Sequence, residues 1–204
     1  MEALLTPSKG ANTLPLSKRL KLETHSAHER VDKAIMALSP FSSLKGYQRF
    51  LVVQYQFQRR TAPLYHQQDL GAWLEGLPER CRYNAVISDC QDLALNLDDL
   101  KDLSPPEPDI DSQAAALGWL YVSEGSNLGA AFLLKYASQL GLSANFGARH
   151  LAPSDSGRGL HWRRFTAQLD AISLSDEQTN QALNGAREAF QFVKSLASVA
   201  LNNQ

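Results

Sequence analysis

Few residues of this chain are suited to chemistry, and their spacing places most of them. Five histidines occur, at positions 25, 28, 66, 150 and 161. In "LSKRLKLETHSAHERVDKAIMAL", His28 shares one helical line with Lys21, Thr24, Val31 and Ile35, all within about 60° of it at 3.6 residues per turn. An imidazole on such a partly apolar, core-facing line is either a metal ligand or a hydrogen-bonded structural residue. Lys21 lies two turns away, roughly 10 Å along the same face, where it is either a partner for a bound anion or a solvated lysine. His25, beside Ser26 and Glu29, falls nearer the polar boundary.

The second candidate is a stripe of glycines. "GWLYVSEGSNLGAAFLLKYA", residues 118–137, reads as a buried helix, yet it holds Gly118, Gly125 and Gly129. Each costs roughly 1 kcal/mol relative to alanine there. The three fall within about 20° of one line, with Val122, Phe132 and Tyr136 close to it. Such a bare groove serves either close packing of helices or a flat ligand lying on exposed backbone, with the helix bent at Gly125–Gly129. Ser126 would put a hydroxyl at its rim. The wheel does not choose between the two. "EGSNLG" is no phosphate loop, because the lysine and preceding strand are missing.

Cys81 and Cys90 are the only cysteines. Nine residues apart in one expected helix, they would be roughly 13 Å apart. Free thiols in a reducing cytoplasm are expected, and no zinc-site spacing is present.

The elements that must position these residues are helices. Apolar residues recur at three and four rather than alternating. The pattern predicts helices over Leu16–Leu38, Leu44–Gln68 with a kink at Pro63, Glu79–Leu95, Ser112–Leu140, Gly159–Ile172 and Asp176–Leu201. "DDLKDLSPPEPDIDS" and "NFGARHLAPSDSGRG" read as loops, and residues 1–13 as a loose tail rather than a signal peptide. The fold class is all-α: one multi-helix domain over residues 14–204.

Composition excludes several classes. Twenty Lys+Arg against 21 Asp+Glu give a net charge of −1, which argues against a nucleic-acid partner. No apolar run approaches the ~20 residues that span a bilayer. A cytoplasmic monomer is expected.

Taken in order, "TxxxH" ending at His28, "GWLYVSEGSNLGAAFLLK", "GARHLAPSDSGRGLHW" and "GAREAFQF" resemble the bacterial biliverdin-producing heme oxygenases. The similarity runs from about Leu16 to Leu201. It implies heme b as both substrate and cofactor, O2 as co-substrate and an external electron donor of reductase or ferredoxin type. The heme would lie between the first helix and a kinked, glycine-containing distal helix. His28 matches the axial iron ligand, Gly125 and Gly129 the distal glycines with Ser126 between them, and Lys21 and Tyr121 the residues at the propionates. Gln54 and Arg82 correspond to a polar, water-holding network beyond the distal pocket, and Phe192 to a ring at the heme edge. Relatives that cleave away from the α-meso carbon differ at propionate-contacting positions, some having Asn where this chain has Lys21, so α cleavage is expected.

The residues suit that chemistry. Dioxygen must be spent on the porphyrin's own meso carbon, which disfavours a thiolate ligand, since thiolate promotes O–O cleavage. It also disfavours a strong acid-base side chain on the distal helix, and residues 122–132 hold no His, Lys or Arg, their one acid, Glu124, lying about 100° back from Gly125. Protons would then arrive through water held by Ser126, Gln54 and Arg82. The alternatives are a heme carrier or sensor that leaves its ligand intact, a related fold with thiamine-pyrimidine hydrolysis, for which neither cysteine has the carboxylate context, and a purely structural helical module.

Overall fold

The three-and-four periodicity produces eight α-helices among the described residues of a computed structural model, which describes residues 14–101 and 104–202. They are α1 (Leu16–Ala37), α2 (Leu44–Thr61), α3 (Gln68–Trp73), α4 (Tyr83–Asp92), α5 (Leu97–Lys101), α6 (Gln113–Ser138), α7 (Arg158–Ala171) and α8 (Asp176–Asn202). No strand occurs among these residues beyond isolated bridges at Ser143. The tail expected over residues 1–13 lies outside the described residues.

Three starts are set by side-chain caps. Ser43 Oγ accepts from the Gly46 amide and Ser112 Oγ from the Ala115 amide, each at 3.1 Å. At α8, Ser175 Oγ accepts from the Gln178 amide while Gln178 Oε1 accepts from the Ser175 amide, a reciprocal capping box.

Two expected helices are divided. Leu44–Gln68 ends at Thr61 and continues as a 3₁₀ turn, Ala62–His66, because Pro63 lacks the amide that α2 would need. Glu79–Leu95 begins as a 3₁₀ turn, Pro78–Arg80, after which Cys81 is extended (φ −63°, ψ 124°) and α4 starts at Tyr83. The two cysteines therefore do not share a helix, and both are free thiols. The acidic run expected as loop contains the short α5, where Asn96 Oδ1 accepts from the Asp98 amide.

The long α8 is amphipathic, and its buried line of Ala182, Leu183, Ala186, Ala189, Val193 and Leu196 packs mainly on α6 and α1. That seam is unusually close. A Cβ on Gly118 would lie 2.5 Å from the Ala186 amide nitrogen and nearer still to the Ala182 carbonyl oxygen. Across the seam, a Cβ on Gly185 would lie 2.9 Å from the Ala115 carbonyl carbon. One core, holding Leu20, Trp119, Leu120, Phe165, Leu183 and Leu196, joins α1, α6, α7 and α8. A second, holding Tyr47, Phe50, Leu51, Val86 and Cys90, joins α2 and α4 to the far half of α6.

No helix among the described residues is long and apolar enough to cross a membrane.

Candidate functional site

The glycine stripe divides. Gly118 is consumed by the α6–α8 seam, as the packing alternative required. Gly125 and Gly129 are not: among the described residues, a Cβ at 125 would meet only the Trp162 ring at an ordinary 3.7 Å, and one at 129 would meet nothing within 4 Å. Along the same face, Phe132 is 71% exposed and Tyr136 46%, with Leu128 beside them at 48%. An apolar, partly bare helix face left open in a protein of this size marks a binding surface. The helix runs as unbroken α-helix through both glycines, so the expected bend does not interrupt its hydrogen bonding.

On α1, His28 stands outside the core. Its side chain is 59% exposed, whereas Val31 and Ile35 on the same line pack partly against the core. The core-facing expectation fails at the histidine itself. His28 is held from two directions. Its ring meets Phe190 of α8 edge-on, with centroids 5.6 Å apart at 84°. Asp32, one turn on, places Oδ2 3.2 Å from His28 Nδ1. A carboxylate on Nδ1 fixes the tautomer and leaves Nε2 free to ligate. Asp32 escaped the sequence analysis, although its i,i+4 spacing from a candidate ligand was the available signal. His25 has a similar companion, Glu29 at 3.4 Å, but no aromatic ring pairs with it among the described residues.

Lys21 is exposed on α1. Four residues before it, Ser17 donates to Asp170 of α7 from its amide and its hydroxyl, both at 2.7 Å. Tyr121 of α6 lies close enough to Asp170 to feel its charge. Burial, with that carboxylate second, pushes the phenol up to about 12, and the ring packs on Trp162 at 5.4 Å. Tyr121 therefore shares a neighbour with the first turn of α1, next to the turn that carries Lys21. Phe192, expected at the heme edge, is buried against Trp119 with centroids 5.7 Å apart. The α8 ring that meets His28 is Phe190, two residues earlier and on the opposite side of the helix.

Gln54, Arg82 and Ser126 come together as expected, around a cavity of about 40 Å³ also lined by Gln58, Asn127 and His150. That volume holds about three waters. Arg82 does not point freely into it: its Nη1 donates to the carbonyls of His150 and Ala152 at 2.8 and 2.7 Å, tying the 149–152 turn to α4. Burial, the largest cause, lowers its pKa. Ser126 Oγ donates back to the Ser123 carbonyl at 2.7 Å. Two buried atoms among the lining side chains, His150 Nε2 and Gln58 Oε1, have no hydrogen-bond partner among the described residues.

His150 is the chief residue that sequence reasoning missed. Its Nδ1 lies 2.7 Å from Asp89 Oδ2, which also accepts the His150 amide at 2.9 Å. Asp89 Oδ1 accepts the Arg149 amide at 2.9 Å. A fully buried carboxylate thus aims the imidazole. Residues 122–132 of α6 carry no basic side chain, but this loop histidine supplies one behind them. In sequence, 61 residues separate His150 from Asp89, and only tertiary structure joins them.

Chemically, the arrangement offers an oriented imidazole on an open apolar face, a helix face stripped of side chains and a polar, water-sized cavity beside Ser126. Such a set fits a large flat metal-bearing ring with a small ligand on its distal side.

Comparison with known proteins agrees. Residues 14–198 match the family model for heme oxygenase. The chain is 44% identical over 174 residues to heme oxygenase PigA of Pseudomonas aeruginosa, covering 85% of this chain and 87% of that protein. It superposes on the NO- and CO-bound heme oxygenase of Neisseria meningitidis with a TM-score of 0.85 at 38% identity, covering 93% of this chain and 94% of the other. The heme oxygenase of Leptospira interrogans shares the fold, with a TM-score of 0.70 at 17% identity, covering 91% and 99%.

Proposed function

The chain belongs to the heme oxygenase family and is an enzyme of that class, and from that premise we propose that it opens protoheme at the α-meso carbon, using O2 and electrons from a separate donor, to give biliverdin, CO and free iron. The observation that carries this reading is the division of the glycine stripe. Gly118 is required by α8, but no protein neighbour requires Gly129 to lack a side chain. A ligand does.

The residues fit heme. His28 Nε2 would hold the iron, with Asp32 on Nδ1 fixing the tautomer and aligning the ring. Gly125 and Gly129 would border the distal ring face, and Phe132 would cover apolar edge. Lys21 and Tyr121 would receive the propionates, and their presence supports α cleavage. Bound heme supplies the iron at which dioxygen is activated. The protein supplies restraint: with no basic side chain on the distal face of α6, protons reach the site through water ordered by Ser126, Gln54 and His150 Nε2. Proton delivery at one remove disfavours premature O–O cleavage. That the Neisseria relative holds NO and CO supports a distal space of diatomic size.

Aerobic turnover of the hemin-loaded protein with a reductase, followed by chromatography of the bilin, tests the reading. The expected result is loss of the Soret band and a single α isomer. Intact heme after many reductant equivalents would make the protein a carrier, and another isomer would remove the roles given to Lys21 and Tyr121.

A further inference from the structure

Immediately before Gly125, α6 carries a buried ion pair that the reaction as described does not use. Glu124 is 1% exposed, on the helix side turned away from the bare face. Arg80 Nη1 donates to its Oε2 at 2.6 Å and the Tyr65 hydroxyl to its Oε1 at 2.9 Å. Tyr65 also meets the Ser123 hydroxyl at 2.8 Å. His161 Nε2 lies 3.2 Å from Glu124 Oε2 and 2.9 Å from Arg80 Nη1. A guanidinium can only donate, so that imidazole nitrogen accepts from it. Arg80 Nη2 reaches the His161 carbonyl at 3.1 Å, and the guanidinium lies over the Phe165 ring.

We propose that Glu124 is a positioning residue: held by Arg80 and Tyr65, with His161 orienting the Arg80 guanidinium, it fixes the rotation and height at which α6 leaves the core, and so sets where the bare backbone of Gly125–Gly129 lies. The inference rests on the oxygenase reading of that backbone.

Two arguments favour positioning over plain stabilisation. A buried ion pair is a poor source of stability, because desolvation of both charges offsets their attraction, and apolar residues of the same volume often serve as well. What an ion pair adds is direction. The two oxygens of Glu124 are held by separate elements, the 62–66 turn on one side and the 78–80 turn on the other, with α7 bracing the second by accepting from Arg80. The anchor also sits at the boundary of packing. N-terminal to it, Gly118 locks α6 onto α8; C-terminal to it, the face bearing Gly125, Gly129 and Phe132 has almost no protein neighbour. Trp162, adjacent to His161, is the ring nearest Gly125 and also packs on Tyr121. The start of α7 thus braces both ends of the turn from Tyr121 to Gly125. Burial and the Glu124 carboxylate push the Tyr65 phenol well above its ordinary value, so it stays a donor across the working pH range.

The test uses the full chain and two variants, Glu124→Gln and the milder Tyr65→Phe. In the ligand-free protein, hydrogen exchange of amides in 125–137 is expected to speed up roughly tenfold in E124Q and about threefold in Y65F, as charge-assisted and neutral hydrogen bonds differ. Amides of α8 and of residues 113–122 should keep wild-type rates. After loading, hemin affinity should stay within about threefold of wild type, because His28 is untouched, while single-turnover conversion slows at least about fivefold. Unchanged exchange in 125–137, or an even rise across all helices, overturns the proposal. If E124Q does not fold, Y65F decides by the same criteria. Wild-type protein that leaves hemin intact would sink the oxygenase reading instead, whatever the exchange shows.

Discussion

Alanine substitution along one helix face should have opposite effects at Gly118 and Gly129. At Gly129 the added methyl meets nothing within 4 Å. Helix propensity alone then stabilises the ligand-free protein by about 1 kcal/mol, raising Tm by about 2–4 °C in a chain of this size. At Gly118 the methyl would strike backbone of α8, at 2.5 Å from the Ala186 amide nitrogen and closer to the Ala182 carbonyl. Backbone cannot rotate aside as a side chain can, so the two helices must separate. Overpacking of that kind costs at least the upper part of the usual ~1–3 kcal/mol. After the propensity gain of about 1 kcal/mol, Gly118→Ala should lose about 2 kcal/mol and melt about 4–8 °C lower. Function should sort the other way. Gly129→Ala, though more stable, should convert hemin at least about tenfold more slowly, because a methyl at the ring face displaces either ring or helix. Circular-dichroism melts of the ligand-free proteins and single-turnover absorbance traces give both readings. A Gly129→Ala protein that melts below wild type, or that turns hemin over at the wild-type rate, would refute the reasoning.

The remaining expectations are briefer. His28→Ala should lose the axial-histidine ferric spectrum and turnover, whereas His25→Ala keeps both; absorption spectra of the hemin complexes decide. Asp89→Asn removes a buried carboxylate that accepts two backbone amides and the His150 ring, and should destabilise by about 3 kcal/mol in urea titration. Burial pushes the Cys90 thiol from 9.0 up to about 12 and also raises Cys81. Alkylation of either in the native protein at pH 8 should be far slower than in urea. Because these folded-state values lie above the unfolded ones, their stabilisation is complete below about pH 9 and is lost as pH rises from there towards 12; melts between pH 8 and 11 should fall accordingly.

The helices were legible because their signals are local. Ser43, Ser112 and Ser175 cap within three residues, and Pro63 acts on its own turn. Periodicity could not tell that Pro78 and an extended Cys81 split one apolar pattern into a 3₁₀ turn and α4. The glycine stripe was legible as a stripe but not as two structures, since whether a missing Cβ serves α8 or a ligand depends on what lies opposite. His28 was legible by its line, and its Asp32 companion could have been read from the same helix. The distal network was less accessible. Ser126 follows from the helical wheel and Gln54 and Arg82 from resemblance alone, while His150 joins them because Asp89, 61 residues away, turns its ring. In "EAFQF" the two rings are two residues apart and both are buried, and only the packing of α8 shows that Phe192 meets Trp119 while Phe190 meets His28.

These features together bear on why the ligand-free protein is less stable than its sequence could make it. Gly125 and Gly129 forgo about 2 kcal/mol of helix propensity between them. Phe132, Tyr136 and Leu128 leave apolar surface in water at about 25 cal/mol per Å². Neither loss is corrected by the fold, although alanine would fit at 125 and 129 without moving any protein atom far. A heme covering that face reverses the second loss and gives the first its purpose, so binding and folding are coupled: at a hundredfold excess over its dissociation constant, a ligand adds about 2.7 kcal/mol to stability. The anchor at Glu124 then acquires its meaning. A helix half with little packing of its own can be placed accurately over a ligand only if its point of departure is fixed, and the buried carboxylate, held by the 62–66 and 78–80 turns, sits at that point.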